Sequence, residues 1–144
     1  MKIYGAETTT DEVLEDVSLQ GRHFMVTGAS SGLGEETVRA LSSAGAKVTM
    51  VARNLDKLHA AADRIRKSVP TTDLQTGLVD LADLSSIRSY AEEYLQEAAP
   101  IDVLINNAGV MACPFMTTKD GFEMQFGTNH LGHFLLTNLL MPTI

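Results

Sequence analysis

The stretch Thr27-Gly28-Ala29-Ser30-Ser31-Gly32-Leu33-Gly34 decides the fold of this chain. It follows an apolar run, His23 to Val26, and precedes a helical pattern that Gly45 ends. Glycines between a strand and a helix let the backbone turn tightly and approach a ligand, because they have no Cβ. The first N–H groups of the helix then point at a bound anion, and the helix dipole adds to the attraction. In this context the spacing T-G-x-x-x-G-x-G predicts a turn that holds a pyrophosphate.

Length and composition fit one ordinary globular domain. The chain has 144 residues, of which 44% are hydrophobic and 20% charged. A formal net charge of −7, with only 11 Lys and Arg, argues against nucleic acid or an anionic membrane surface as the main partner. The single cysteine, Cys113, rules out a disulfide within the chain, and residues 1–21 lack a signal-peptide pattern. We therefore expect a cytoplasmic protein with neither nucleic-acid nor membrane partners.

Short apolar strands alternate with amphipathic helices along most of the chain. Strands are predicted at His23–Thr27, Lys47–Ala52, Leu74–Val79 and Val103–Asn106, and helices at Glu12–Asp16, Gly32–Ala44, Leu55–Ser68, Leu84–Ala98 and about Gly121–Met141. This alternation indicates a parallel sheet covered by helices on both faces. Residues 1–20 are predicted to be a lead-in. Residues 21–144 are predicted to form a Rossmann-like, doubly wound α/β domain of three layers, with strand order 3-2-1-4 and an incomplete C-terminal side.

A second run of small residues, Asn106-Asn107-Ala108-Gly109, closes the fourth predicted strand. Alone it is a turn signal. Together with the glycine turn it resembles the short-chain dehydrogenase/reductase family, whose signatures are T-G-x-x-x-G-x-G after the first strand and N-N-A-G after the fourth. The segment from Asn107 to Leu140 is similar to the retinol-dehydrogenase-like branch, through Asn129-His130-Leu131-Gly132-His133-Phe134 among others. The resemblance covers the chain from about Asp16 to its end.

The resemblance implies roles for individual residues around a dinucleotide. Asp80 would bond the adenine amino group, and Asn129 would be the active-site Asn that holds a water next to the catalytic lysine. The alternatives are a loop-capping Asp80 and an ordinary helical Asn129. The residues implied to contact the cofactor are Gly28, Ser30, Ser31, Gly32, Leu33, Gly34, Asp80, Leu81, Asn107, Ala108 and Gly109.

The end of the second strand carries the choice of cofactor. NAD enzymes place Asp or Glu there to accept from the ribose 2′-OH, whereas this chain has Ala52 and then Arg53. A guanidinium pairs with a 2′-phosphate, and such a charge-assisted contact contributes about 1.5–3 kcal/mol. That corresponds to a preference of about ten- to a hundred-fold. The sequence therefore favours NADP(H) over NAD(H), with a solvated Arg53 as the alternative.

A metal centre is not predicted. His130 and His133 are spaced to share a helix face, but neither an acidic ligand nor a third histidine lies near them in the sequence. Cys113 follows the fourth strand without an evident basic partner, so we expect it to be an ordinary loop residue.

The catalytic pair of the family has no counterpart among the tyrosines of this chain. The family transfers a hydride between nicotinamide and an alcohol or carbonyl carbon, using a tyrosine, a lysine four residues later and a serine on the fifth strand. None of Tyr4, Tyr90 and Tyr94 is followed by lysine at that spacing. We expect the chain to be the cofactor-binding portion of an NADP(H)-dependent oxidoreductase that acts on small alcohols or carbonyls. By itself this portion is expected to be inactive. A longer form could assemble as a homo-oligomer. Two alternatives are a non-catalytic NADP(H)-binding protein and a nucleotide-binding domain of another doubly wound family.

Overall fold

The central strand of the sheet, β1 (His23–Thr27), has five residues that are all buried. It pairs in parallel with β2 (Lys47–Ala52) on one side and with β4 (Val103–Ile105) on the other. The strand β3 (Asp73–Leu78) adds to the far edge of β2, again in parallel. The order is therefore β3-β2-β1-β4, as the sequence predicts. The computed structural model describes residues 4–97 and 99–144.

Helices occupy the connections between strands. The α-helices are α1 (Thr10–Leu14), α2 (Gly32–Ser43), α3 (Leu55–Ser68), α4 (Leu84–Glu97), α5 (Met124–Phe126) and α6 (His133–Leu140). A π-helical turn, Gly127–Gly132, joins α5 to α6, and a 3₁₀ turn, Met141–Thr143, follows α6. None of the helices in the described ranges is long and apolar enough to cross a membrane.

Alternation along β1 divides the interior into two apolar cores. Phe24 and Val26 point to one face of the sheet, where they pack with buried residues of α2 and α3. Met25 points to the other face, where it packs with Ile87 of α4 and Leu136 of α6. Both faces are thus covered, and the sheet lies between two helical layers.

Several boundaries match the predicted ones, and others need correction. β1, β2 and α3 have the predicted limits, whereas β3 begins and ends one residue early, its first residue Asp73 pairing with Lys47. The ends of α2 and β4 each come one residue early, at Ser43 and Ile105, and α1 ends two residues early, at Leu14. α1 begins at Thr10, two residues early, because Thr9 is the N-cap. The Thr9 hydroxyl accepts from the Glu12 N–H at 3.2 Å, and the Glu12 carboxylate accepts from the Thr9 N–H at 2.7 Å.

A further correction concerns the last predicted helix, which does not begin at Gly121. Gly121 has φ +84° and belongs to a turn, and the helical segment begins at Met124. The Glu123 carboxylate accepts from the Gln125 and Phe126 N–H groups at 2.9 and 2.7 Å. A carboxylate in that position caps the first turn, so it sets the start of the helix. Residues 1–3 of the predicted lead-in and the predicted helix end at Ala98 lie outside the described residues.

A small charged network holds α1 against α2. Arg39 on α2 donates to the Asp11 carboxylate at 2.8 Å and to both oxygens of Glu36 at 2.8 Å. The Thr10 hydroxyl also donates to Glu36, at 2.5 Å. The Arg39 guanidinium, followed by the Thr10 hydroxyl, lowers the pKa of Glu36 from 4.5 to about 2.

Acidification is expected to loosen α1 from α2. The pKa of Glu36 is lower in the folded chain, so its stabilising contribution is present above the unfolded value and is lost as the pH falls towards 2. The side chain is 44% exposed, which limits the contribution to below about 1 kcal/mol. The Val13 N–H donates to the Thr9 carbonyl at the start of α1, so hydrogen exchange of this amide between about pH 5 and pH 2 measures the loss of the Glu36 contribution.

The matched variants for this measurement are Glu36→Gln and Asp63→Asn. Glu36→Gln should weaken the protection of Val13 at pH 5 and flatten its pH dependence. Asp63 is exposed and pairs with Arg66 on α3, and within the described part of the chain no hydrogen bond or ion pair joins it to α1 or α2, so Asp63→Asn should behave as the parent chain does. An unchanged pH profile in Glu36→Gln would contradict the role of this carboxylate.

Candidate functional site

A cleft of about 410 Å³ opens at the carboxyl ends of the strands. Its position spans the gap between β1 and β4, where the direction of strand addition reverses and doubly wound sheets bind their ligands. The cleft is lined by Thr27, Gly28, Ser30, Ser31, Leu33, Gly34, Val51, Ala52, Arg53, Val79, Asp80, Leu81, Asn107, Ala108, Gly109, Val110 and Thr128.

The structure brings together almost all the residues that the sequence predicts to contact a cofactor. Of that set only Gly32 does not line the cleft. It lies on the outer side of the turn, beside Glu35 and Arg39, and has φ +59°. Its contribution is therefore to the path of the backbone, since a positive φ favours glycine.

Six lining residues were not among the predicted contacts: Thr27, Val51, Ala52, Val79, Val110 and Thr128. Thr27, Val51 and Ala52 lie at the last positions of their strands, and Val79 directly follows β3. The carboxyl ends of parallel strands meet at one edge, so the predicted strand limits carry a usable signal for them. Thr128 comes from the π-helical turn, and the sequence carries no comparable signal for it.

Close backbone contact between two segments shapes the floor of the cleft. Gly28 has φ +67°, and a Cβ added there would lie 2.8 Å from the Cα of Ala108. A Cβ on Gly34 would collide with the carbonyl oxygen of Gly28 and lie 2.6 Å from Nδ2 of Asn107. Any side chain would push the turn and the 107–108 segment apart, so glycine is required at both positions.

Hydrogen bonds fasten these two segments to each other. The Asn107 side-chain amide donates to the carbonyl oxygen of Thr27 at 2.8 Å. The Ala108 N–H donates to the Thr27 hydroxyl oxygen at 2.9 Å. Both bonds cross from the end of β4 to the end of β1, so they set the width of the floor.

The N-terminus of α2 faces the cleft with its first N–H groups uncapped by a side chain. Ser31 is the N-cap residue in extended geometry, and its hydroxyl makes no capping bond. The Glu35 carboxylate in the first turn is bound by Arg64 at 2.7 and 2.8 Å, which partly neutralises it. The helix end therefore presents donors and a positive dipole to an anion.

Arg53 and Asp80 lie on the wall formed by the ends of β2 and β3. Arg53 is exposed, and within the described part of the chain its guanidinium has no hydrogen-bond or ion-pair partner. Asp80 lines the cleft and also accepts from the Ala82 N–H at 2.9 Å. Its backbone N–H donates to the Ser86 hydroxyl at 3.0 Å. The loop-capping role and a place in the cleft are thus combined in Asp80.

Asn129 does not line the cleft but is bonded to Val110, which does. Its side chain accepts from the Val110 N–H and donates to the Val110 carbonyl, both at 2.8 Å. This pair of bonds is anchored in the π-helical turn, a distortion that often marks functional positions in helices.

His130 and His133 do not share a face. His130 is exposed and stacks on Phe126, with ring centroids 5.2 Å apart, whereas His133 is buried. Across residues 4–97 and 99–144, no three His, Cys, Asp or Glu side chains lie together in a group that could hold a metal ion.

The two tyrosines of α4 belong to the second core. The Tyr90 ring packs under Gly77 of β3, and the Tyr94 hydroxyl donates to the Ala99 carbonyl at 3.1 Å. Burial raises the pKa of Tyr94 to about 12, and burial likewise raises the pKa of Tyr90. A general base needs a lowered pKa and access to the ligand, and neither side chain lines the cleft.

These features define a class of protein. The sheet is parallel with order 3-2-1-4, a glycine turn opens the helix after β1, and the cleft lies at the switch point, the gap between β1 and β4 where the direction of strand addition reverses. Together these features form a dinucleotide-binding α/β domain. Residues 22–144 match the model of the short chain dehydrogenase family. The chain belongs to the short-chain dehydrogenase/reductase family.

Individual relatives agree with that assignment. The chain is 48% identical over 127 residues to retinol dehydrogenase 13 of Homo sapiens, which covers 88% of this chain and 38% of the relative. A solved structure of an uncharacterized protein from Mycobacterium paratuberculosis is 47% identical with a TM-score of 0.78, covering 88% of this chain and 44% of that one. The Pseudomonas aeruginosa RhlG/NADP active-site complex is 29% identical with a TM-score of 0.71, covering 88% and 49%. The chain spans well under half the length of the curated relatives it matches.

The Gly34→Ala substitution tests the contact between the glycine turn and Asn107. Helix propensity alone favours Ala over Gly by about 1 kcal/mol. The collision of the new Cβ with the Gly28 carbonyl and the Asn107 amide outweighs it, so we expect a net loss of about 1–3 kcal/mol in the free energy of unfolding. Urea denaturation measures the change.

Gly5→Ala is the matched control, because a Cβ there meets nothing within 4 Å and its φ is not positive. It should change the stability by less than about 0.5 kcal/mol. A stabilised Gly34→Ala chain would show that the two segments are not in the contact described.

Proposed function

We propose that the chain binds NADP(H) in this cleft and is the cofactor-binding portion of an oxidoreductase. The reaction is hydride transfer between the nicotinamide and an alcohol or carbonyl carbon of a small substrate. The observation that supports this most directly is the single cleft that joins the glycine turn, the Asn107–Gly109 segment and Arg53. When bound, the cofactor supplies the hydride chemistry, and the protein supplies binding and orientation.

We place the pyrophosphate of the cofactor at the glycine turn. Gly28 and Gly34 leave the backbone open there, and the uncapped N–H groups of α2 point towards it. Asn107 and Ala108 close the opposite side through their bonds to Thr27. The ligand thus lies between two segments that are already fastened together, which reduces the ordering cost of binding.

We place the 2′-phosphate of the cofactor at Arg53. Among the described residues, no hydrogen bond or ion pair occupies the Arg53 guanidinium at the wall of the cleft, and Val51 and Ala52 before it offer no carboxylate to a ribose 2′-OH. A solved relative of this fold is described as a complex with NADP at its active site, which supports the choice. Arg53 therefore favours the phosphorylated cofactor.

Parallel titrations with NADPH and NADH test this assignment. The parent chain should bind NADPH about ten- to a hundred-fold more tightly. Arg53→Ala should remove most of that preference by weakening NADPH alone, as measured by cofactor fluorescence. Arg66→Ala is the matched control, since Arg66 pairs with Asp63 on α3 and does not line the cleft. An equal loss for both cofactors in Arg53→Ala would contradict a 2′-phosphate contact.

A binding protein without catalysis is the second candidate for the 144-residue chain by itself. Tyr90 and Tyr94 of α4 are packed into the apolar core and have raised pKa values, so neither fits the role of the family's tyrosine. We propose that the chain alone holds the cofactor but does not turn it over.

The expected result is NADPH binding with no change in absorbance at the nicotinamide band when alcohols or carbonyls are added. A longer form that carries a Tyr-x-x-x-Lys pair should be active under the same conditions. Measurable turnover by the 144-residue chain, lost in Tyr90→Phe or Tyr94→Phe, would overturn the proposal.

A further inference from the structure

His133 is buried behind the floor of the cleft, where its ring is hydrogen-bonded to Thr27 and to Asn129. The side chain is on α6 and is 6% exposed. Its Nε2 is 2.8 Å from the Thr27 hydroxyl oxygen, and its Nδ1 is 3.0 Å from the carbonyl oxygen of Asn129. One imidazole therefore contacts the end of β1 and the π-helical turn at once.

The partners determine which nitrogen carries the proton. The Asn129 carbonyl only accepts, so Nδ1 must donate to it. Burial lowers the pKa of His133, which favours the neutral ring and leaves a lone pair on Nε2. The Thr27 hydroxyl then donates to Nε2, which is closer than its other acceptor, the Ile105 carbonyl at 3.4 Å.

The direction of that bond orients the Thr27 oxygen. Because the Thr27 hydroxyl directs its hydrogen towards the unprotonated Nε2, its oxygen lone pairs face the Ala108 N–H, which donates to that oxygen at 2.9 Å. His133 contacts the backbone carbonyl of Asn129, and the side-chain amide of the same residue holds Val110 by two bonds of 2.8 Å. The segment from Ala108 to Val110 is thus tied at its first residue through Thr27 and at its last through Asn129.

We infer that His133 is a positioning residue that sets the segment from Ala108 to Val110 against the glycine turn. It acts through the hydroxyl of Thr27 and the carbonyl of Asn129 and does not itself line the cleft. The effect on a bound dinucleotide rests on the proposed function, whereas the effect on the protein backbone does not. A residue that only filled space would leave the proton position and the Thr27 rotor unconstrained.

The first test measures the chain without ligand. Nitrogen-15 NMR of the imidazole should show a neutral His133 with Nδ1 protonated and Nε2 unprotonated. A neutral ring protonated at Nε2 would overturn the inference, because the Thr27 hydroxyl would then have to accept.

The second test is a double-mutant cycle on the amide exchange of Ala108. His133→Leu should speed this exchange by about tenfold, the value of one net hydrogen bond. In the Thr27→Val background the same change should add almost nothing, because the acceptor for Ala108 is already lost. Equal effects of His133→Leu in both backgrounds would show a packing role and overturn the inference.

Two conservative variants guard against simple misfolding. His133→Gln keeps an acceptor for Thr27 and should retain most of the Ala108 protection. His133→Asn keeps a donor near Asn129 but does not reach Thr27, so it should behave as His133→Leu does. If the parent chain binds neither NADPH nor NADH, the proposed function fails, while the exchange cycle still decides the role of His133.

Discussion

The backbone contact between the glycine turn and the segment after β4 is the constraint on which the rest of the structure depends. Gly28 and Gly34 lie so close to Asn107 and Ala108 that a single methyl group would separate them. Thr27 holds the contact by accepting from both residues through its carbonyl and hydroxyl oxygens. The contact joins the ends of β1 and β4, the two strands that flank the switch point of the sheet, and so it creates the cleft.

The layers around the sheet serve to hold these strand ends in place. Alternation in β1 sends Phe24 and Val26 to one core and Met25 to the other, so helices are needed on both faces. The layer that contains α6 also carries His133 to the back of the cleft, where it meets Thr27. The same helix, α6, thus contributes Leu136 to the apolar core and the His133 imidazole to the polar network behind the cleft.

Strands and helices with strong local signals were predictable because the signal and its cause lie in the same residues. The apolar runs of β1 and β2 and the Asn54 cap of α3 all gave the correct limits. The start of α1 was missed because Thr8, Thr9 and Thr10 are alike in sequence, and only the reciprocal bond between Thr9 and Glu12 selects one of them. The place of Gly32 outside the cleft was missed because spacing does not reveal which side of a turn faces a ligand.

The sequence by itself determined the parallel sheet, the family and eleven of the seventeen residues that line the cleft, because the glycine turn and the Asn106–Gly109 segment are local patterns that follow strands. Only the tertiary structure decided that Thr128 borders the cleft, that Asn129 binds Val110, and that His133 links Asn129 to Thr27. Thr27 and His133 are 106 positions apart in the chain, and their hydrogen bond exists only because the sheet and α6 pack together. A bond of that kind has no pattern in the sequence, since nothing near either residue in the chain indicates the other.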